Sequence, residues 1–202
     1  GLHHVGGVTL ADTPERLDML KAERAKHRYM GLETEILSPA EIAEVAPITN
    51  LDGILGALYD PLDGHLDPSG TTHAYARAAR MGGAEIVLHT KVLETNPRAD
   101  GTWDVVTDKG TIHAEHVVNA AGLWAREVGA MAGLTLPLHP MEHQYIVTDD
   151  IAEIHERDTE HPHVMDPAGE SYLRQEGRGL CIGFYEQTCR PWAVDGTRWD
   201  FG

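Results

Sequence analysis

The run Val117-Val118-Asn119-Ala120-Ala121-Gly122-Leu123-Trp124-Ala125 constrains the fold more than any other stretch of the chain. Two β-branched residues open an apolar strand, and two alanines and a glycine close it. A helical pattern from Leu123 to Ala132 follows at once and is stopped by Gly133. A strand that passes straight into a helix predicts layered α/β architecture. Small residues at the junction let a ligand approach the backbone, and a helix N-terminus behind them favours an anion such as a pyrophosphate. The same run also reads as a tight strand–helix turn with no ligand.

The rest of the chain supports a mixed α/β reading. Val8 and Leu10 alternate with their neighbours as in a half-buried strand. Thr13-Pro14-Glu15 opens a helix to about Tyr29-Met30, with Thr13 as cap and Pro14 in the first turn. Ser38 and Glu41 have capping-box spacing for a short helix ending near Pro47. Gly53–Tyr59 reads as a strand and Asp67–Met81 as a helix stopped by Gly82-Gly83. Glu85–His89 and Lys91–Leu93 read as short strands, and Trp103–Val106 with Thr111–His113 as a meander. Beyond Leu134, Gln144–Thr148, Ser171–Arg174 and Leu180–Tyr185 read as strands, with a helical interruption at Ile151–Arg157. Gly177-Arg178-Gly179 reads as a hairpin turn. The pattern predicts two intertwined subdomains: a flank at 1–66, a helix–strand–meander–strand–helix layer at 67–134, and a second flank of antiparallel strands at 135–202.

Charge and composition exclude some partners. The 202 residues carry 16 basic and 32 acidic side chains, a formal net charge of −16. Nucleic acid and anionic membranes need clustered Lys and Arg, so neither is expected as a partner. No apolar run approaches 18 residues, so no membrane-spanning helix is expected. Gly1–Gly7 lacks a basic stretch followed by an apolar one, so no leader is expected. Cys181 and Cys189 form no CxxC and no disulfide framework, which points to a reducing compartment. The chain opens without Met, which predicts an internal piece of a longer protein. There is no GxGxxG between a strand and a helix, and no P-loop.

Four stretches together carry a family resemblance. The first is Val117–Ala125, extended through Arg126-Glu127-Val128-Gly129 to Pro140-Met141-Glu142-His143-Gln144-Tyr145-Ile146-Val147-Thr148. The others are Leu58–Pro68, Ser171-Tyr172-Leu173-Arg174-Gln175-Glu176 and Gly183-Phe184-Tyr185-Glu186. They resemble the D-amino-acid-oxidase-like flavoproteins, in particular the dimethylglycine and sarcosine dehydrogenase branch, over nearly the whole chain. The resemblance implies part of a Rossmann-like FAD-binding layer beside a mostly antiparallel substrate-domain sheet. It implies an FAD-dependent dehydrogenase that takes hydride from an N-methylated glycine-type amine, in the cytoplasm or, in a eukaryote, the mitochondrial matrix. The family's glycine fingerprint unit is absent, as is a folate-binding domain that could take tetrahydrofolate. The isolated chain is therefore expected to be inactive, and its exposed strand edges predict self-association. The electron acceptor and the choice between dimethylglycine and sarcosine stay open. So do a related amino-acid oxidase with another substrate and a non-catalytic substrate-binding or interaction module.

The resemblance places Ala121, Gly122 and Trp124 along the cofactor, and Val92 where backbone meets the adenine. Val92 reads equally as a core valine. His143 and Tyr145 sit in one alternating strand, so both can face a bound amine. The amine must be neutral at nitrogen before hydride leaves, and an imidazole titrates in the useful range. A half-buried strand with Tyr145 in the core and His143 solvated is the plain alternative. Tyr172 and Tyr185 match positions that line the substrate cavity in related amine oxidases, and aromatic walls suit a methylated ammonium. They also read as ordinary sheet aromatics. Among 13 histidines, the close pairs are His3-His4, His113 with His116, His139 with His143, and His161 with His163. None comes with further converging ligands, so no metal is expected. The acidic run Glu15–Glu44 reads as a solvated face.

Overall fold

The computed structural model describes residues 1–193. In chain order the first elements are β1 (Leu2–His3), β2 (Gly7–Ala11), α1 (Pro14–Tyr29), β3 (Glu35–Leu37), α2 (Pro39–Val45), β4 (Gly56–Asp60), β5 (His65–Leu66) and α3 (Pro68–Met81). Then come β6 (Val92–Pro97), β7 (Trp103–Thr107), β8 (Gly110–Ala114), a 3-10 turn at Gly122–Trp124, α4 (Ala125–Met131), β9 (Met141–Glu142) and β10 (Tyr145–Val147). The last are α5 (Ala152–His155), β11 (His163–Asp166), β12 (Ser171–Glu176), β13 (Gly179–Phe184) and β14 (Arg190–Pro191). The chain divides into two compact units, Gly1–Ala74 with His143–Cys189, and Tyr75–Glu142 with the segment from Arg190.

The first unit is built on a seven-stranded sheet in the order β10-β13-β12-β11-β2-β4-β3. Its strands come from both ends of the sequence. Every neighbouring pair is antiparallel except β11 and β2. Strand alternation sorts the core onto two faces. Val8, Leu10, Leu37, Ala57 and Val164 share one face and pack against Ile42 and Ala46 of the α2 segment. Ala11, Ile36 and Leu58 share the other and pack against Leu17 and Leu20 of α1. Fully burying a side chain such as Ile42 or Val8 contributes about 1.5–3 kcal/mol. Both helices start where their caps predict. The Thr13 hydroxyl accepts from the Arg16 amide at 3.2 Å, and Ser38 and Glu41 close a reciprocal capping box.

The second unit holds the antiparallel meander β6–β7–β8 and α4. Here two expected strands fail. Glu85–His89 and Val117–Ala120 form no strand, and Val87, Leu88 and Val118 are exposed. A strand needs a ladder to satisfy its backbone, and no strand among the described residues pairs with either segment. The expected helix from Leu123 is also shorter. It opens as a 3-10 turn, and α4 proper is the seven residues Ala125–Met131. The strand expected at Gly53–Tyr59 begins at Gly56, after a turn. The part of the second flank at 194–202 lies outside the described residues.

Candidate functional site

Three neighbouring strands of the first unit set one row of side chains. Tyr145 of β10 and Tyr172 of β12 are both opposite Gly183 of β13, so the two tyrosines flank a residue with no side chain. A Cβ at Gly183 would run into the Tyr172 ring. The glycine is therefore the notch into which that ring leans. Two residues along the ladder, Val147, Cys181 and Arg174 form the next row on the same face. With Leu66 and Pro68 these side chains line an open groove of about 550 Å³. Burial, with smaller contributions from Cys181 and Tyr185, raises the Tyr172 hydroxyl above its ordinary value, so it stays a neutral donor. The Arg174 guanidinium is part-buried and pairs with Glu176.

The Tyr172 ring leads to a second cluster. Tyr185 lies 5.7 Å from it, and His143 meets Tyr185 edge-on at 6.0 Å. His143 Nδ1 is 3.1 Å from Glu186 Oε2. Cys189 Sγ donates to the Glu186 carbonyl at 3.0 Å and lies 3.8 Å from His143 Nε2. The Glu186 carboxyl is held below its ordinary range by its own backbone amide and then by His143. The imidazole thus presents Nδ1 to a carboxylate and Nε2 to a thiol. His143 stands before β10, while Tyr145 opens it and is 64% exposed. Glu186, Arg174 and Gly183 received no role from the sequence, although all three lie inside recognised motifs. Their roles need the strand register, which places residues distant in the chain side by side.

In the second unit, Asn119 braces the turn after the Val117-Val118 run. Its Oδ1 accepts from the Ala121 amide at 3.2 Å, and its Nδ2 donates to the Ala125 carbonyl at 2.8 Å. Gly122 follows with φ +53°, a left-handed backbone that suits glycine, and no atom of the described residues lies within 4 Å of where its Cβ would be. The backbone of Ala121–Gly122 is thus open to a flat ligand lying along it. Trp124 is 39% exposed at the end of this turn. Val92 is half-buried at the start of β6, opposite Thr107, with a bulge just beyond it. Of the close histidine pairs, His161 is fully buried and its imidazole pushed down by burial, with Nδ1 on the Pro162 carbonyl at 2.7 Å. His163 instead meets Asp63 at 3.0 Å. No helix among the described residues is long and apolar enough to cross a membrane.

Comparison with known proteins decides the family. Residues 1–201 match the DAO profile, described as FAD dependent oxidoreductase. The chain belongs to this family of FAD-dependent oxidoreductases. The mitochondrial dimethylglycine dehydrogenase of Rattus norvegicus is 46% identical over 92% of the chain, and the mitochondrial sarcosine dehydrogenase of Mus musculus 36% over 98%. The chain spans 22% of the length of each. The crystal structure of L-proline dehydrogenase from P. horikoshii superposes with a TM-score of 0.82 and 28% identity, over 99% of this chain and 52% of that one. The mixed α/β fold expected from the sequence is thus that of the DAO-like flavoproteins.

Proposed function

We propose that this chain carries the amine-binding part of an FAD-dependent dehydrogenase for N-methylated glycine-type amines, dimethylglycine or sarcosine. The observation that carries the reading is the single groove face that combines the Tyr145 and Tyr172 rings with the Arg174 guanidinium. Such an amine offers a methylated ammonium at one end and a carboxylate at the other. Aromatic faces attract the first and a guanidinium fork the second. The Tyr172 and Tyr145 hydroxyls can donate to the substrate, and His143 Nε2 can take the ammonium proton, with Glu186 fixing the tautomer at Nδ1. Removing that proton leaves the nitrogen lone pair free to assist loss of hydride.

Bound FAD supplies the hydride acceptor. Ala121, Gly122 and Trp124 are the residues proposed to lie along it, with Val92 toward the adenine. Their open backbone at Gly122 fits a planar group. A reducing compartment suits the free Cys181 and Cys189, and for a eukaryotic source this would be the mitochondrial matrix. The test uses the full-length flavoprotein that contains this chain, mixed anaerobically with dimethylglycine or sarcosine. Bleaching of the flavin band by either supports the reading. Bleaching by neither, with proline or glycine effective instead, would replace the substrate class.

A further inference from the structure

Elsewhere in the first unit, ligating side chains from three distant segments converge. His3 of β1 and His65 of β5 are directly opposed in an antiparallel ladder. Their rings stack with centroids 4.7 Å apart and planes 13° from parallel. Opposed residues in such a ladder hold their Cβ atoms about 4.5–5.5 Å apart, so the backbone itself fixes the spacing of the two imidazoles. Gly64 makes the close approach possible, because a Cβ there would run into the His3 carbonyl. The Asp67 amide donates to the Gly1 carbonyl at 3.0 Å and anchors the far end of the pair. Glu160 arrives from the segment before β11. Its two carboxylate oxygens lie 2.9 Å from His3 Nδ1 and 2.9 Å from His65 Nε2.

One atom from each of the three residues lies within 4.8 Å of the others. Two imidazoles and a carboxylate are a ligand set for a borderline divalent cation. Zn²⁺ takes His nitrogen at about 2.0–2.1 Å and carboxylate oxygen at about 2.0–2.2 Å, with a fourth position open to water. A cavity of about 170 Å³, edged by His3, His65, Asp67 and Glu160, opens beside the cluster and has room for that water. The His65 side chain is 13% exposed and Glu160 30%, so the ligands are sheltered while His3, at 44%, leaves a way in. Only His3, beside His4, belongs to a close pair in the sequence; its partners His65 and Glu160 lie far along the chain, so spacing could not reveal the site.

We propose that His3, His65 and Glu160 form a binding site for Zn²⁺ or a cation of the same class, one that clamps β1, β5 and the approach to β11. The clamp is structural and does not depend on the substrate assigned to the groove. The metal links residues 95 and 157 positions apart, so it removes much freedom from the unfolded chain.

The test uses the full-length flavoprotein in a Cys189→Ser background, which removes the thiol of the His143–Glu186–Cys189 group, a second set with ligating atoms in range. The protein is stripped with a chelator and titrated with Zn²⁺ against a metal-competing dye, with thermal unfolding followed in parallel. One tight equivalent and a higher unfolding midpoint are expected. His65→Gln and Glu160→Gln should each lose that equivalent, while His73→Gln on α3 should keep it. An equivalent that survives His65→Gln would overturn the site. So would a parent that binds none while His65→Gln still lowers the midpoint, because a hydrogen-bonded cluster then suffices. Should the variants fail to fold, Co²⁺ loading of the unsubstituted protein decides. Ligand-field bands without thiolate charge transfer support His3–His65–Glu160, and a thiolate band places the metal on a cysteine and refutes the proposal.

Discussion

Tyr145 carries its ring on the groove face and is largely exposed, so its hydroxyl has little to contribute to folding. Tyr145→Phe should change stability by no more than about 0.5 kcal/mol, the usual range for a surface substitution. A hydrogen bond to a charged substrate is stronger, about 1.5–3 kcal/mol, so flavin reduction by the amine should slow roughly tenfold or more. Stopped-flow reduction at the parent rate would remove Tyr145 from the site. Glu186→Gln tests the neighbouring pair. The Glu186 carboxyl is depressed in the folded state, so its stabilising contribution is present above the unfolded value and vanishes as pH falls through the folded one. Parent and variant should therefore differ in urea midpoint near neutral pH and converge in acid. The variant should also slow flavin reduction by the amine, because the imidazole loses the carboxylate that orients it at Nδ1. Reduction at the parent rate would show that Glu186 does not act through His143. The sequence named His143, Tyr145, Tyr172 and Tyr185 by residue type and motif. It could not name Glu186 or Arg174, since Glu186 meets His143 from 43 positions away and Arg174 joins the groove through its place opposite Cys181.

Gly183 works at the scale of the element. It gives up a side chain on β13 so that Tyr172 of β12 can lie across the strand. Gly183→Val should push that ring aside at an overpacking cost of about 1–3 kcal/mol and raise KM for the amine. Unchanged KM together with unchanged thermal stability would show that the notch is dispensable. Elements with local signals were legible: Thr13 and Ser38 cap α1 and α2 as read, and Gly177 sits in the β12–β13 turn. Elements that depend on a remote partner were not. Val117-Val118 has strand composition but no ladder. Conversely, β11 is four residues between Pro162 and Pro167, too short to show a period, yet it joins the halves of the sheet through β2.

At the scale of the whole molecule, the proposed cofactor residues can be weighed among the described residues of the second unit. Gly122 and Trp124 offer one open surface, whereas ligand sites usually enclose about 70–90% of the ligand. The 202-residue chain alone is expected to bind FAD weakly or not at all. Val87, Leu88 and Val118 leave apolar surface exposed outside any strand, so the chain should also self-associate. Fluorescence titration with FAD alongside sizing checks both, and tight stoichiometric binding by a monomer would refute them. The one parallel junction in the large sheet has a further consequence, in time and not in space. β2 is paired with β4 some fifty residues later, but with β11 only after more than 150 residues have been made. During synthesis, β2, β3 and β4 can close around α1 and α2 while one edge of β2 stays unpaired and open to other chains. That edge is shielded only when His163–Asp166 arrives, so the interval before it emerges is when a nascent chain is most exposed to misassembly.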